Sequence, residues 1–380
     1  MQVALNAWFW DQPSTGSGQY LRGLVRGLGQ LKADLHLSLI LPPHIRPEQV
    51  GDLGPKVQAI PTRQALKGNL GKVWFEQRTY PAMVKRLGAD IAHVPYWGAP
   101  LSSPAKMIVS ILDVIPLAFW QYRVGGLANL YTSLMRASAA GAGHIITLSE
   151  ASKAEITRYL KLPPEKISPI YLAADERFSP QGQNDALVRQ KYGLPDEFAL
   201  YLGTFDLRKN VDKLLLAWTY VGQPMGENVP LVLAGRPPAQ WGTPLYPDLP
   251  AYAEKLAISP YLMWLGEVDE ADKPALYRLA KVFVYPSRYE GFGLPILEAM
   301  ASGTPVVACA ASSIPEVAGE AAYLVGPDQA REMGGAILAL LVQNDLHAQL
   351  SNAGRGQATQ FSWRKTAQAT YTVYEQIARA

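Results

Sequence analysis

Residues 281–308 read KVFVYPSRYEGFGLPILEAMASGTPVVA, and this stretch sets the architecture expected of the rest of the chain. Val282–Tyr285 is a short β-branched and aromatic run of the kind buried on both faces in a parallel sheet, and Pro305–Cys309 is another. Between them lie a loop with two glycines and a helix. Pro295 suits the first helical position and Gly303 the residue just past the end. Strand, glycine loop, helix and strand make one unit of an α/β fold.

The predicted helix, Pro295–Ser302, is apolar on nearly every side except at Glu298, so it should be buried with one carboxylate inside. An unpaired buried carboxylate costs on the order of several kcal/mol, so Glu298 needs a partner. Glu290 stands at the end of the preceding strand, ahead of Gly291, Phe292, Gly293 and Leu294. In open α/β sheets ligands bind off the carboxyl ends of the strands, where glycines admit close backbone approach and a helix N-terminus favours negative charge. A ligand carrying hydroxyls and phosphate would satisfy both glutamates and the loop N–H groups. Ser287-x-x-Glu290 also fits a capping box, but two glycines directly after it disfavour a helix there.

Glu290 and Glu298, inside EGFGLPxLEAMAxGxPVV, resemble the signature of retaining GT-B glycosyltransferases of family 4. The resemblance implies two Rossmann-like domains facing across a cleft, with a C-terminal helix crossing back to the first. It further implies that Glu290 and the N–H groups of Gly291–Leu294 hold the donor sugar and diphosphate, and that Glu298 accepts hydrogen bonds from the ribose. GTxxxRKN at 203–210 is similar to the segment that places a lysine on the diphosphate, making Lys209 the clamp and Arg208 a second cation. Val268, after Gly266-Glu267, falls where relatives offer backbone groups to the base.

A chain of 380 residues is long for one core, and 48% hydrophobic with 18% charged residues describes an ordinary globular protein. No run of about 18 apolar residues exists, and the first residues, MQVALNAWFWDQPSTG, lack a basic start and an extended apolar core. A cytoplasmic location is expected, with room for peripheral contact at the inner membrane face. The single cysteine, Cys309, excludes an internal disulfide and a cysteine-rich metal site, and a net charge of +3 does not argue for nucleic acid.

In chain order, Gln2–Asn6 reads as a strand, followed by Pro13-Ser-Thr-Gly-Ser-Gly18 and an amphipathic helix over Gln19–Leu31. Leu21 stands where the dinucleotide fingerprint needs its third glycine. TGSGQY looks like the family's first-domain loop, which makes Gly16 and Gly18 candidate phosphate contacts. Leu35–Leu41 is the second strand. From Lys56 to Arg86 seven basic residues stand against one acid, Glu76, among Trp74, Phe75 and Tyr80; such a stripe suits an anionic lipid surface or a solvated helix face. His93 closes the strand Ala89–Val94 and, with Tyr96 and Trp97, is an acceptor-side candidate, although a structurally satisfied histidine is the better fit of the two.

After the strand Met107–Leu112 comes Asp113-Val-Ile-Pro116. Relatives of the HDxxP, mannosyltransferase-like type carry a histidine where this chain has Leu112; His93, Asp113 or the backbone could take its place, and Asp113 is carried as a catalytic candidate. Gly143–Leu148 reads as the last clear strand of the first half, and 173–184 is turn-rich and the best linker. The expected domains are therefore 1–173 plus the helix 362–380, for the acceptor, and 174–361, for the nucleotide-sugar donor. Further strands are expected at Phe198–Gly203 and Leu231–Ala234, and helices at Val211–Tyr220 and Pro274–Ala280.

Breaking a sugar–diphosphate bond requires stabilising negative charge on the leaving group. The chain has no D-x-D for a divalent metal, whereas Lys209 and the Gly291–Leu294 loop supply a cation and helix-end dipoles. The expected reaction is metal-independent, retaining hexosyl transfer from a GDP- or UDP-linked sugar to a glycan or lipid-linked acceptor, with no other cofactor. A glycosyltransferase-like binding protein, suggested by Leu112, and a nicotinamide-dependent enzyme are the alternatives. Against the latter stand the broken glycine fingerprint and the lack of a suitably placed acid on a second strand.

Overall fold

The computed structural model describes residues 1–66, 68–123 and 126–379, the side chains of 126–128 excepted. Lys67, one of the seven basic residues, and Ala380, the end of the last expected helix, lie outside the described residues. The chain forms two compact units, Met1–Leu172 with Ser362–Ala380, and Ala173–Phe361.

The first unit is built on a parallel seven-stranded sheet in the order β3-β2-β1-β4-β5-β6-β7. Its strands are β1 (Gln2–Asn6), β2 (His36–Leu41), β3 (Val57–Pro61), β4 (Ile91–Val94), β5 (Lys106–Ser110), β6 (His144–Thr147) and β7 (Ile167–Pro169). The second unit carries six parallel strands in the order β10-β9-β8-β11-β12-β13. These are β8 (Ala199–Leu202), β9 (Leu231–Ala234), β10 (Leu262–Gly266), β11 (Val282–Tyr285), β12 (Val306–Cys309) and β13 (Tyr323–Val325). Both are Rossmann-like, and each sheet reverses its strand order once, between β1 and β4 and between β8 and β11. Those reversals open crevices at the carboxyl ends of the central strands.

Central strands such as β8, β9, β11 and β12 are buried at every position, as helices on both faces require. The edge strands β3 and β13 and the outer strand β7 were not legible, because they are short and only partly buried. The helix after the TGSG loop begins at Gly16, earlier than expected, with Thr15 as its N-cap.

The final helix, Trp363–Arg379, packs on the Gly16–Gln30 helix of the first unit, and glycines allow the approach. A Cβ on Gly23 would lie 2.3 Å from the Trp363 ring, and one on Gly27 would lie 2.7 Å from the Trp363 carbonyl oxygen. The Thr366 hydroxyl also donates to the Tyr171 carbonyl at 2.7 Å.

Candidate functional site

The crevice between β8 and β11 collects most of the expected donor-side residues of the second unit. β8 runs into a short 3-10 turn, Leu207–Lys209, capped by the Asp206 carboxylate, which accepts from the Arg208 N–H. Asn210 then takes a left-handed conformation, φ 57°, that redirects the chain into the Val211–Met225 helix. The turn aims Arg208 and Lys209 at the end of β11. There Arg208 Nη1 and Lys209 Nζ both donate to one oxygen, Glu290 Oε1, at 2.7 and 2.6 Å. The Ser287 hydroxyl donates to the same oxygen at 2.5 Å. Lys209 Nζ also donates to the Tyr285 hydroxyl at 3.0 Å and sits over that ring.

Burial alone would raise the Glu290 pKa, but Arg208, Lys209 and the Lys209 and Ser287 hydrogen bonds outweigh it and hold the carboxyl at about 2. Burial lowers the Lys209 pKa, against the pull of Glu290. Asp206 lies 3.5 Å from Arg208 Nε, so two cations and two carboxylates balance in this turn. An arriving dianion would compete with Glu290 for the two cations.

Gly293, at φ 111°, is the N-cap of the Leu294–Ala301 helix, so Gly291, Phe292, Gly293 and Leu294 lead into a helix N-terminus as expected. Ser313 Oγ donates to the Glu290 and Phe292 carbonyls and braces this loop. On the same helix Glu298 is buried, and its Oε2 accepts from the Tyr277 hydroxyl at 3.0 Å. Burial raises its pKa, with Lys273 and Tyr277 opposing the rise. Tyr277 is thus the partner that the buried carboxylate required. Val268 is buried just after β10, next to the Gly266 turn at φ 77°.

The first unit treats the expected residues differently. Gly18 N–H is taken by the Thr15 hydroxyl, and a Cβ there would lie 1.9 Å from the Gln12 carbonyl oxygen. Gly18 is therefore demanded by packing, and its N–H serves the Thr15 cap. Gly16 has open space at its Cβ position. Asp113 Oδ1 accepts from the Ile115 N–H and shapes the turn after β5, next to the partly exposed Leu112.

His93 is a correction. It is fully buried, with Nδ1 paired to the Tyr374 hydroxyl at 2.6 Å and Nε2 to Ser110 Oγ at 2.8 Å. Burial lowers its pKa to about 3, so the ring is neutral, with one nitrogen tied to the final helix and the other to β5. No group is left for an acceptor. Trp97 donates its indole N–H to the Met135 carbonyl at 3.1 Å, and Tyr96 is buried with its hydroxyl facing Glu76 and Asn6.

Comparison with known proteins agrees with both halves of this description. The family "Glycosyltransferase Family 4" matches residues 14–178, and "Glycosyl transferases group 1" matches residues 185–357. The first part of the chain is thus similar to a family 4 glycosyltransferase domain and the second to a group 1 domain. The "O-antigen chain mannosyltransferase B" of Escherichia coli is 37% identical over 234 residues, 61% of this chain and 60% of its own length. The chain therefore matches less than two thirds of that relative. The "MMP alpha-(1->4)-mannosyltransferase" of Mycolicibacterium hassiacum is 26% identical across 100% of this chain and 99% of its own. Among solved structures, sucrose-phosphate synthase from Thermosynechococcus elongatus shares the fold, with a TM-score of 0.76 and 21% identity over 99% of both chains.

Sequence reasoning missed Tyr285, Ser287 and Tyr277 as partners in the second unit. Ser287 was visible in the Ser-x-x-Glu spacing, but its hydroxyl serves the Glu290 side chain rather than a helix end. In the first unit it missed the surroundings of Glu76. The signal there was a single acid inside a basic run, which turns out to be fully buried.

Proposed function

We propose that this glycosyltransferase chain moves a hexose, mannose as first candidate, from a GDP- or UDP-linked sugar to a glycan or lipid-linked acceptor, with retention and without a metal. The observation that carries the reading is the sharing of Glu290 Oε1 by Arg208 and Lys209 at the β8/β11 crevice. A donor diphosphate offers these cations more charge than one carboxylate does, so the cations exchange partners and Glu290 is released toward the sugar hydroxyls. Glu298, paired to Tyr277, is the ribose acceptor in this reading, with the backbone around Val268 for the base. Mannose is favoured by the names of the relatives.

In the transfer, the bond between the anomeric carbon and the donor phosphate oxygen breaks while the acceptor oxygen bonds to the same face of that carbon. The acceptor proton passes to the departing phosphate oxygen. Lys209, Arg208 and the N-terminus of the Leu294–Ala301 helix stabilise the charge on the leaving diphosphate. Asp113 is the acceptor-side candidate for orienting the hydroxyl.

A lipid-linked acceptor is supported by the outer face of 68–86. Leu70 and Trp74 are 73% and 48% exposed, and Arg78, Lys85 and Arg86 are exposed beyond them. Among the described residues, no helix is long and apolar enough to cross a membrane. Co-sedimentation with phosphatidylglycerol vesicles should exceed that with phosphatidylcholine and fall in Trp74→Ala; equal recovery removes the lipid surface from the reading.

The test of function is a thermal-shift panel of GDP, UDP and their hexose conjugates, followed by donor hydrolysis without acceptor. Stabilisation by a nucleoside diphosphate sugar together with slow hydrolysis supports an enzyme. Binding without any turnover points to a glycosyltransferase-like binding protein.

A further inference from the structure

The turn that carries Arg208 and Lys209 is stitched to two neighbouring loops by side chains that the donor-site reading leaves without a role. Asn210 ends the turn at φ 57°, a left-handed conformation that asparagine tolerates better than most residues. It is 1% exposed, and both its amide hydrogens and its oxygen are used. Nδ2 donates to the Pro286 carbonyl at 3.1 Å and to the Pro327 carbonyl at 2.8 Å, while Oδ1 accepts from Arg288 Nε at 2.6 Å.

Arg288 carries the contacts outward. Its Nη2 donates to Asp328 Oδ1 at 2.6 Å, and its backbone N–H donates to the Arg208 carbonyl at 2.9 Å. One residue is thus bonded to the turn through main chain and side chain, and to the loop after β13 through its guanidinium. That loop is closed on itself: the Gln329 N–H donates to the Gly326 carbonyl at 3.1 Å, and the Gly326 N–H to Gln329 Oε1 at 3.0 Å. It leads directly into the Ala330–Val342 helix, whose inner face is buried, so Asp328 stands on a firm support.

A brace is needed there because Arg208 and Lys209 are like charges, and the Arg208 charge helps to lower the Lys209 pKa. Glu290 offsets that repulsion by drawing both onto Oε1. Once a dianion draws them off Glu290, only a fixed backbone keeps both cations in place without reorganisation.

We propose that Arg288 is a positioning residue for the diphosphate: held between Asn210 and Asp328, it fixes the turn from which Lys209 and Arg208 reach the ligand. This rests on the donor reading and adds to it a residue that acts through Asn210 rather than on the phosphates. A guanidinium donates from Nε and Nη2 in two directions at once, which a single ammonium cannot reproduce. Asp328 is exposed, so the outer ion pair contributes less than the inner bond to the buried amide.

Two measurements on the whole chain test the brace. The first needs no ligand and follows the Glu290 carboxyl by carbon-13 NMR as pH is lowered. Wild type, held at about 2, should remain ionised, whereas in Arg288→Met and equally in Arg288→Lys proton uptake should begin about one pH unit higher, because the cations lie less squarely on Oε1. A rise in Arg288→Met alone would mean that the charge of Arg288 acts on Glu290 directly, and overturns the proposal. The second is titration with GDP and UDP beside guanosine and uridine. Both Arg288 variants should lose about tenfold in diphosphate affinity and nothing in nucleoside affinity. Asp328→Ala alters only an exposed side chain and serves if the Arg288 variants fail to fold; it should weaken diphosphate binding about twofold. If Arg288 instead touched the phosphates, freeing it from Asp328 would strengthen binding and Arg288→Lys would keep most of it, and either result overturns the proposal. So does an unchanged Glu290 titration with unchanged diphosphate affinity. A wild type indifferent to both nucleotides, with the Glu290 titration still displaced in both Arg288 variants, would keep the brace and defeat the donor reading instead.

Discussion

Glu290 and Glu76 are both buried carboxylates beside a lysine at the carboxyl end of a parallel sheet, yet one is held at about pKa 2 and the other at about 7. Burial pushes both upward. Glu290 meets two cations at 2.6 and 2.7 Å and a hydroxyl, all on one oxygen. Glu76 meets one ammonium at 3.6 Å, the Tyr131 phenol at 3.4 Å and the Tyr96 phenol, with no guanidinium beside it among the described residues. About 1 Å and one guanidinium decide which side of the desolvation balance each carboxyl falls on. The first site is an assembled ion cluster; the second is a buried group of neutral hydrogen-bonding side chains around one ammonium.

The largest effect should come from breaking the assembled cluster. Glu290→Gln leaves Arg208 and Lys209 without their shared anion and should cost about 3 to 5 kcal/mol of stability at pH 7. A carboxyl depressed to about 2 stabilises the fold above its unfolded pKa, and that contribution is lost as pH falls toward 2. Denaturation of both proteins across pH 2 to 7 should show the gap closing toward the acid end. A gap that is constant with pH would contradict the pairing.

Glu76→Gln should do the opposite. With a folded pKa raised to about 7, wild type is stabilised below about pH 4.5 and loses that contribution as pH rises through 7. The variant should therefore be the more stable protein at pH 8, by on the order of 2 to 3 kcal/mol, and equal to wild type near pH 4. Thermal melts at the two pH values check this, and a destabilised variant at pH 8 would erase the contrast between the two glutamates.

A smaller effect is expected at Glu298, where one tyrosine already shares the carboxyl. Glu298→Gln should weaken binding of the free nucleoside diphosphate by about 1 to 3 kcal/mol, read by calorimetry. Unchanged affinity would remove Glu298 from the donor site.

The contrast also explains what was legible in the sequence. The charged residues of the second unit's site lie within two contiguous stretches, 203–210 and 285–298, so residue order alone brings Lys209, Glu290 and Glu298 into view, while Tyr277 lies outside both. Its central strands read clearly because full burial leaves an uninterrupted apolar run. The Glu76 cluster draws one or two residues from each of several segments between Asn6 and Tyr131, and no spacing rule joins them. His93 was ambiguous for the same reason: its partners, Ser110 and Tyr374, are remote in sequence, and only packing of the last helix shows the ring to be structural. The edge strands were lost because partial burial erases the apolar pattern.

The central claim is that Lys209 and its surroundings carry the diphosphate without a metal. Steady-state transfer rates of wild type and Lys209→Ala, each with and without excess chelator, test it most directly. The account predicts a wild type indifferent to chelator and a variant whose kcat/KM is lower by roughly 100-fold or more, the scale of losing one charge-assisted contact in a water-poor site. A wild type that loses activity in chelator and recovers it with added magnesium or manganese, or a Lys209→Ala variant that turns over normally, would contradict it.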